Sequence, residues 1–233
     1  MNRTYKIRED LTLKYKGRTL YRIEALVDIP SAEVVAGDIG GYVESYDNLQ
    51  DTAWVFDDAK VYANAQVYDN ARVYCKAEIC YDAEVHDNAI VHGDAKIGDN
   101  AIVYDEAKVR DHARVYGNSK VCGCADVYGE AKVYDNAQVY DNARVYGKAE
   151  ICDDARIAQA DSDYIVFKNW WSSGRYFTWT RSNNMWKVGC FYGTGEELTE
   201  KAYKDSKVSG DNYKAIVDYV NNVVIPQADK NKE

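Results

Sequence analysis

Two groups of residues in this chain carry side chains suited to chemistry beyond packing: three histidines and one aromatic, cationic segment. Imidazole is a common general base for acylating a hydroxyl or an amine near neutral pH. His86 and His92 are the candidates for that role. His112 stands eighteen residues from both Asp94 and Glu130, a spacing that suits a charge-assisted surface ladder. The second group is Trp170, Trp171, Arg175, Tyr176, Trp179, Arg181, Trp186 and Lys187. Aromatic faces can stack a base while guanidinium and ammonium groups hold its phosphate, so this segment is a candidate site for a nucleotide-like anion. The competing reading makes the same tryptophans the core of a small C-terminal module, which needs large apolar anchors to stay folded. No metal centre and no cofactor is expected. Cys122-x-Cys124 has the wrong spacing for a zinc knuckle and no second pair accompanies it.

A short repeat must position the histidines. From Ala53 to Ala155 an alanine stands at every sixth position, with Ser119 the one exception, and a Val or Ile follows two residues later from Val55 to Ile157. The word occurs eighteen times without insertion or deletion. A fixed short period marks a solenoid whose units bury their apolar faces against neighbouring units. Period six keeps strand parity, so the small and the branched residue point the same way and the residue between them points out. Three words close one triangular coil. The expected fold is therefore mainly β, a left-handed parallel β-helix of about six to seven coils and roughly 30 Å in length at one strand spacing per coil. Corner positions hold Asp, Asn and Gly, as in Asp69-Asn70, Asp87-Asn88 and Asp99-Asn100, which tolerate left-handed backbone or make local turns.

Outward slots carry ladders. Tyrosines eighteen residues apart, such as Tyr116 and Tyr134 or Tyr128 and Tyr146, should stack, and Lys60, Glu78 and Lys96 should alternate in sign along one face. Ile90 and Ile102 break the polar rule of their slot. With His86, His92 and Tyr104 they form the candidate protein-contact patch.

The bulk numbers limit partners. The chain has 233 residues and a formal charge of −9. Residues 51–158 hold 20 acidic and 12 basic side chains, whereas 164–195 hold four basic and no acidic ones. Such a rod should repel the nucleic-acid backbone. No run of eighteen apolar residues and no secretory leader pattern occurs, so no membrane association is expected and the expected location is the cytoplasm, with reduced cysteines. Three segments follow: 1–38 as a hairpin cap, 39–158 as the helix, and 159–233 as an α+β capping module. In the last, Thr194 to Glu197 has capping-box spacing for one helix, Ser209 can start a second, and Pro226 should end it.

The stretch Gly37-Asp38-Ile39-Gly40-Gly41-Tyr42-Val43-Glu44-Ser45, followed by Asn-Ala-x-Val-Tyr words, resembles a family of phage and prophage hexapeptide-repeat proteins, some of them labelled transferases. The tail from Val188 to Glu197 looks like a C-terminal module of such proteins. The resemblance implies a phage setting, in the cytoplasm of an infected or lysogenic bacterium, and the β-helical fold. The expectation is a non-catalytic binding protein, a host-interaction or counter-defence factor that binds a host protein or sequesters a small nucleotide-like anion. It is also expected to assemble as a trimer or dimer. The alternative, implied by the likeness to left-handed β-helix enzymes, is a hexapeptide-repeat acyltransferase using an acyl-CoA, with His86 and His92 as its candidate bases.

Overall fold

The computed structural model describes residues 3–158 and 160–230; residues 1–2, 159 and 231–233, at the edges of the expected segments, lie outside the described residues. The rod runs as eighteen two-residue strands from Trp54–Val55 to Arg156–Ile157, one per repeat word. They sort into three parallel sheets, and each strand inside the stack pairs with those eighteen residues before and after it, as Ile97 does with Ile79 and Val115. Six stacked triangular coils result, a β-solenoid. Every alanine and Val/Ile of the repeat is buried in one continuous core. Ser119 fits the alanine column because its hydroxyl donates to the Tyr116 carbonyl at 2.8 Å, so no polar group is left unpaired inside.

The corners share one conformation. The second residue after each Val or Ile from Val55 to Ile151 has positive φ, for example +56° at Asp69, +59° at Asp105 and +71° at Gly129. Asp is frequent there for a reason beyond tolerance of that backbone. Its carboxylate accepts the N–H of the corner residue one coil later: Asp57 from Cys75 at 3.0 Å, Asp105 from Gly123 at 2.9 Å and Asp111 from Gly129 at 3.1 Å. A left-handed non-glycine residue costs roughly 1–2 kcal/mol, which a hydrogen bond to a charged acceptor offsets.

At the N-terminal end, strands Tyr5–Tyr15 and Arg18–Ala25 form a hairpin with a register shift between Arg8 and Thr12. Strand Ile39–Val43 pairs antiparallel with the hairpin and parallel with Lys60–Val61. The hairpin is therefore hydrogen-bonded into one face of the rod, and it covers the open ladder that would otherwise invite pairing. Gly40 and Gly41 allow the junction. A Cβ on Gly40 would lie 2.5 Å from the Val55 carbonyl oxygen, and one on Gly41 would lie 2.6 Å from Val55 Cγ1.

The C-terminal residues form a four-stranded antiparallel sheet from Tyr164–Lys168, Tyr176–Thr180, Met185–Val188 and Phe191–Gly193. Strand parity gives it two faces. Phe177, Trp179, Trp186 and Val188 pack against Leu198, Val217 and Val220 of the following helical residues. The opposite face closes the last coil. Thr178 Oγ1 accepts the Glu150 N–H at 3.0 Å, Ser182 Oγ accepts the Arg156 N–H at 2.7 Å, and Tyr164 Oη accepts the Tyr146 N–H at 3.3 Å. Side-chain oxygens thus replace the missing next strand.

Helix Gly195–Asp205 begins at the expected capping box, with Thr194 and Glu197 bonded to each other's backbone N–H. The second helix starts at Lys207 on the Ser206 cap, slightly before the expected Ser209. Pro226 does not end it. A π-turn over Val220–Val224 carries the chain into Ile225–Lys230, where Pro226 is the second residue, within the first turn, a position at which its missing N–H costs little. Among the described residues no helix is long and apolar enough to cross a membrane.

Candidate functional site

The eight-residue aromatic and cationic segment divides between the two faces of the C-terminal sheet. Trp179 and Trp186 lie on the helix-covered face and are fully buried, with Trp179 Nε1 donating to Asn184 Oδ1 at 2.8 Å. They cannot stack an incoming base, and as sequence candidates they are corrected to core residues. Trp171 stands edge-on to Phe177 and Tyr213 on the same side. Arg175 lines a cavity of only about 60 Å³ between the sheet and the helices. Arg181 sits in the turn before Met185–Val188 and donates its backbone N–H to the Asp163 carbonyl at 2.8 Å. Lys187 is the register partner of Thr178, so it faces the rod, and its ammonium lies 5.9 Å from the Tyr134 ring. Trp170 is 80 % exposed and Tyr176 is 37 % exposed. These two are the most exposed aromatic faces of the segment, Trp171 being half-buried.

The proposed contact patch also separates. Ile90 pairs with Arg72 and Lys108 on one face, and Ile102 pairs with Glu84 and Lys120 on another. The two isoleucines point from sheets that meet at a prism edge, so they do not make one surface. Long polar neighbours half-bury each of them. His86 and Tyr104 share the edge between those sheets, and His92 starts the next edge. The His86 ring is stacked between Tyr68 at 4.7 Å and Tyr104 at 5.3 Å, with Nδ1 3.0 Å from Asp87 Oδ2. Asp69 joins them to give three possible metal-ligand atoms within 4.8 Å of one another. Both carboxylates already serve the corner ladder, Asp69 accepting from Asp87 N at 3.4 Å and Asp87 from Asp105 N at 3.3 Å.

The most perturbed acid is structural. Glu78 is buried and accepts hydrogen bonds from Tyr15 Oη at 2.7 Å, Lys16 Nζ at 2.7 Å and Tyr62 Oη at 3.1 Å, with Lys96 Nζ at 3.2 Å. Desolvation alone would raise its pKa. The bonds from Lys16, Tyr15 and Lys96 outweigh it and hold the carboxyl at about 2. Lys60, expected in the same ladder, instead donates to the Asp58 carbonyl at 2.8 Å. The Glu78 cluster pins the hairpin tip to the rod.

One concavity combines exposed charge, an aromatic face and a hollowed backbone. Along one edge the corner residues of four successive coils are Gly93, Asp111, Gly129 and Gly147. Missing side chains at three of them leave a trough of about 770 Å³, walled by Asp94, His112, Glu130 and Lys148 and closed at the C-terminal end by Tyr176. His112 Nδ1 lies 3.5 Å from Asp94 Oδ2, and Lys148 Nζ lies 3.2 Å from Glu130 Oε2. The Tyr176 ring has Lys148 Nζ at 5.4 Å and Lys168 Nζ at 5.8 Å from its centroid. Sequence reasoning found the His112 ladder and Tyr176 separately but missed that one edge joins them. Writing the words in three columns of period eighteen would have shown Gly93, Gly129 and Gly147 in one column, with Gly117 and Gly123 in the other two.

A family model described as the YdcK beta solenoid repeat matches residues 65–77 and 137–150, two stretches inside the rod. No curated protein matches the chain. Over those stretches the chain is similar to that repeat, and with its three stacked parallel sheets it is a β-solenoid protein.

Proposed function

We propose that this chain is a non-catalytic binding protein whose recognition surface is the trough between the rod edge and the C-terminal sheet. The observation that carries the reading is the hollow made by Gly93, Gly129 and Gly147 beneath Tyr176. Hydrogen-bonded coils hold the wall residues at fixed spacing, so little ordering cost remains when a ligand binds. A host-derived occupant is favoured by the resemblance of residues 37–45 to phage hexapeptide-repeat proteins, and countering a host defence is the use such capture would serve. The nucleotide form of the reading keeps only Tyr176, Trp170 and the nearby lysines, because Trp179 and Trp186 are core.

Thermal unfolding of the full chain against nucleotides, sugars, acyl-CoA and short peptides tests the proposal, with His112→Trp as the trough-filling variant. A ligand that raises the wild-type Tm and leaves the variant unmoved supports it. If no ligand acts, or both proteins respond alike, the trough is not a binding surface.

The Asp94–His112 pair favours acyl transfer as the second reading, since an imidazole oriented by a carboxylate is a competent general base. His86 and His92 are set differently, His86 wedged in an aromatic stack and His92 half-buried at an edge whose trough it does not line. Acetyl-CoA turnover that disappears in His112→Ala would replace the binding reading with this one.

A further inference from the structure

The trough also constrains the kind of molecule it takes, and this step rests on the binding reading above. Three carboxylates, Asp94, Asp111 and Glu130, line it. Lys148, 3.2 Å from Glu130, is the ammonium among the lining residues, and Lys168 stands outside the lining at the Tyr176 end. Carboxylates therefore outnumber the ammonium groups of the lining by three to one. A polyphosphate would meet the carboxylates along the wall, and a polycation would meet the ammonium groups at the end. An apolar ligand would find no aliphatic side chain among the lining residues.

What the surface offers instead is a ladder of donors and acceptors. Asp94, His112, Glu130 and Lys148 occupy the same place in four successive coils, about 4.8 Å apart. Glycine corners let a ligand approach the backbone closely. At the end stands a partly exposed phenol ring, an apolar plate with a polar tip. Hydroxyl groups both donate and accept, so a polyhydroxyl chain suits alternating carboxylate, imidazole and ammonium partners. The C–H face of a pyranose ring suits the plate. We infer that the trough binds a neutral carbohydrate strand, laid along the rod edge with its terminal ring on Tyr176.

The experiment is calorimetric titration of the full chain with a panel of neutral oligosaccharides built from glucose, galactose, mannose and N-acetylhexosamines, beside ADP and inorganic phosphate. The expected result is binding by a neutral sugar whose affinity changes little between about 50 mM and about 500 mM salt, since no ion pair forms. Tyr176→Ala should weaken it by about tenfold or more, as removal of a stacking face does, whereas Tyr176→Trp should retain it. His112→Trp, on a wall position 66 % exposed and away from the core, should block it without loss of Tm. Binding of ADP or phosphate through the same residues, with a steep salt dependence, would overturn the carbohydrate assignment and leave the binding reading standing. Failure of every probe to bind in a manner sensitive to Tyr176 or His112 would overturn both.

Discussion

Replacing Glu78 by Gln should loosen the N-terminal hairpin, and the size of the effect follows from the carboxyl's environment. Its pKa falls from 4.5 to about 2 on folding. At about 1.36 kcal/mol per pKa unit this is about 3 kcal/mol in favour of the native state. Lys16 and Lys96 are 52 % and 47 % exposed, so solvent screening reduces the expectation to about 2 kcal/mol. The sign is that of a depressed acid. The contribution is complete above pH 4.5 and disappears as pH falls from there to about 2, because the unfolded chain takes up the proton first. Solenoids can open from one end, so hydrogen exchange at Tyr15 and Lys16 should accompany urea unfolding. Near pH 7 Glu78→Gln should speed exchange at the hairpin tip by about thirtyfold, the equivalent of 2 kcal/mol. Lys16→Met added to Glu78→Gln should cost much less than the two separate effects combined, since both remove one interaction. A Glu78→Gln protein as protected as wild type near pH 7, or a difference that persists unchanged near pH 2, would refute the reasoning.

Three further outcomes follow from the packing. Gly41→Ala places a methyl group 2.6 Å from Val55 Cγ1 and 2.8 Å from the Ala59 carbonyl oxygen. It should cost about 3 kcal/mol or more by overpacking, read as a loss of Tm that Gly17→Ala, with nothing near its Cβ and only its positive φ to strain it, does not match. Asp105→Ala keeps a non-glycine residue in the left-handed corner, as Ala63 is at +60°, but removes the acceptor 2.9 Å from Gly123 N. A drop of about 1–2 kcal/mol in unfolding free energy is expected, and an unchanged midpoint would show that the carboxylate does not cap that N–H. Thr178→Val leaves the Glu150 N–H without its acceptor at the last coil, so concentration-dependent association should appear by light scattering as the rod end becomes a pairing edge.

The rod was legible because one rule repeats. Ala and Val/Ile at fixed spacing declare which side chains point in, and nothing in eighteen words contradicts them. The Thr194 capping box was legible for the same reason, since its partners lie within one turn. What escaped was set by relations longer than a word. Ile90 and Ile102 look adjacent along the chain, yet two words separate them and two words rotate the outward slot onto another sheet. The contact between Lys16 and Glu78 spans 62 residues, and no local pattern announces it. Trp179 and Trp186 shared a segment with Tyr176 and Lys187, but pleat parity placed the tryptophans under the helices and the other two towards the rod. Pro226 was read as a stop because the π-turn that accommodates it has no strong signature.

The trough itself exposes a conflict between stability and shape that a single substitution can measure. Asp at a corner caps the N–H one coil on, whereas glycine at the same corner provides no such acceptor. Gly129 stands below Gly147, and a Cβ added there would lie 3.0 Å from Gly147 N and 3.2 Å from its carbonyl oxygen. Asp111, directly before Gly129 in the same column, shows that the edge accepts an aspartate in this conformation at +61°. Its carboxylate bonds Gly129 N at 3.1 Å. Gly129→Asp should therefore capture Gly147 N, a gain that the roughly 1–2 kcal/mol cost of left-handed backbone in a non-glycine residue cancels, so unfolding free energy should change by less than about 1 kcal/mol. The same side chain would fill the floor of the trough and place a further negative charge beside Glu130. A protein of nearly unchanged stability with a blocked binding surface is the outcome that ties the glycine column to recognition. A variant equally able to bind would mean that the hollow is an accident of the repeat.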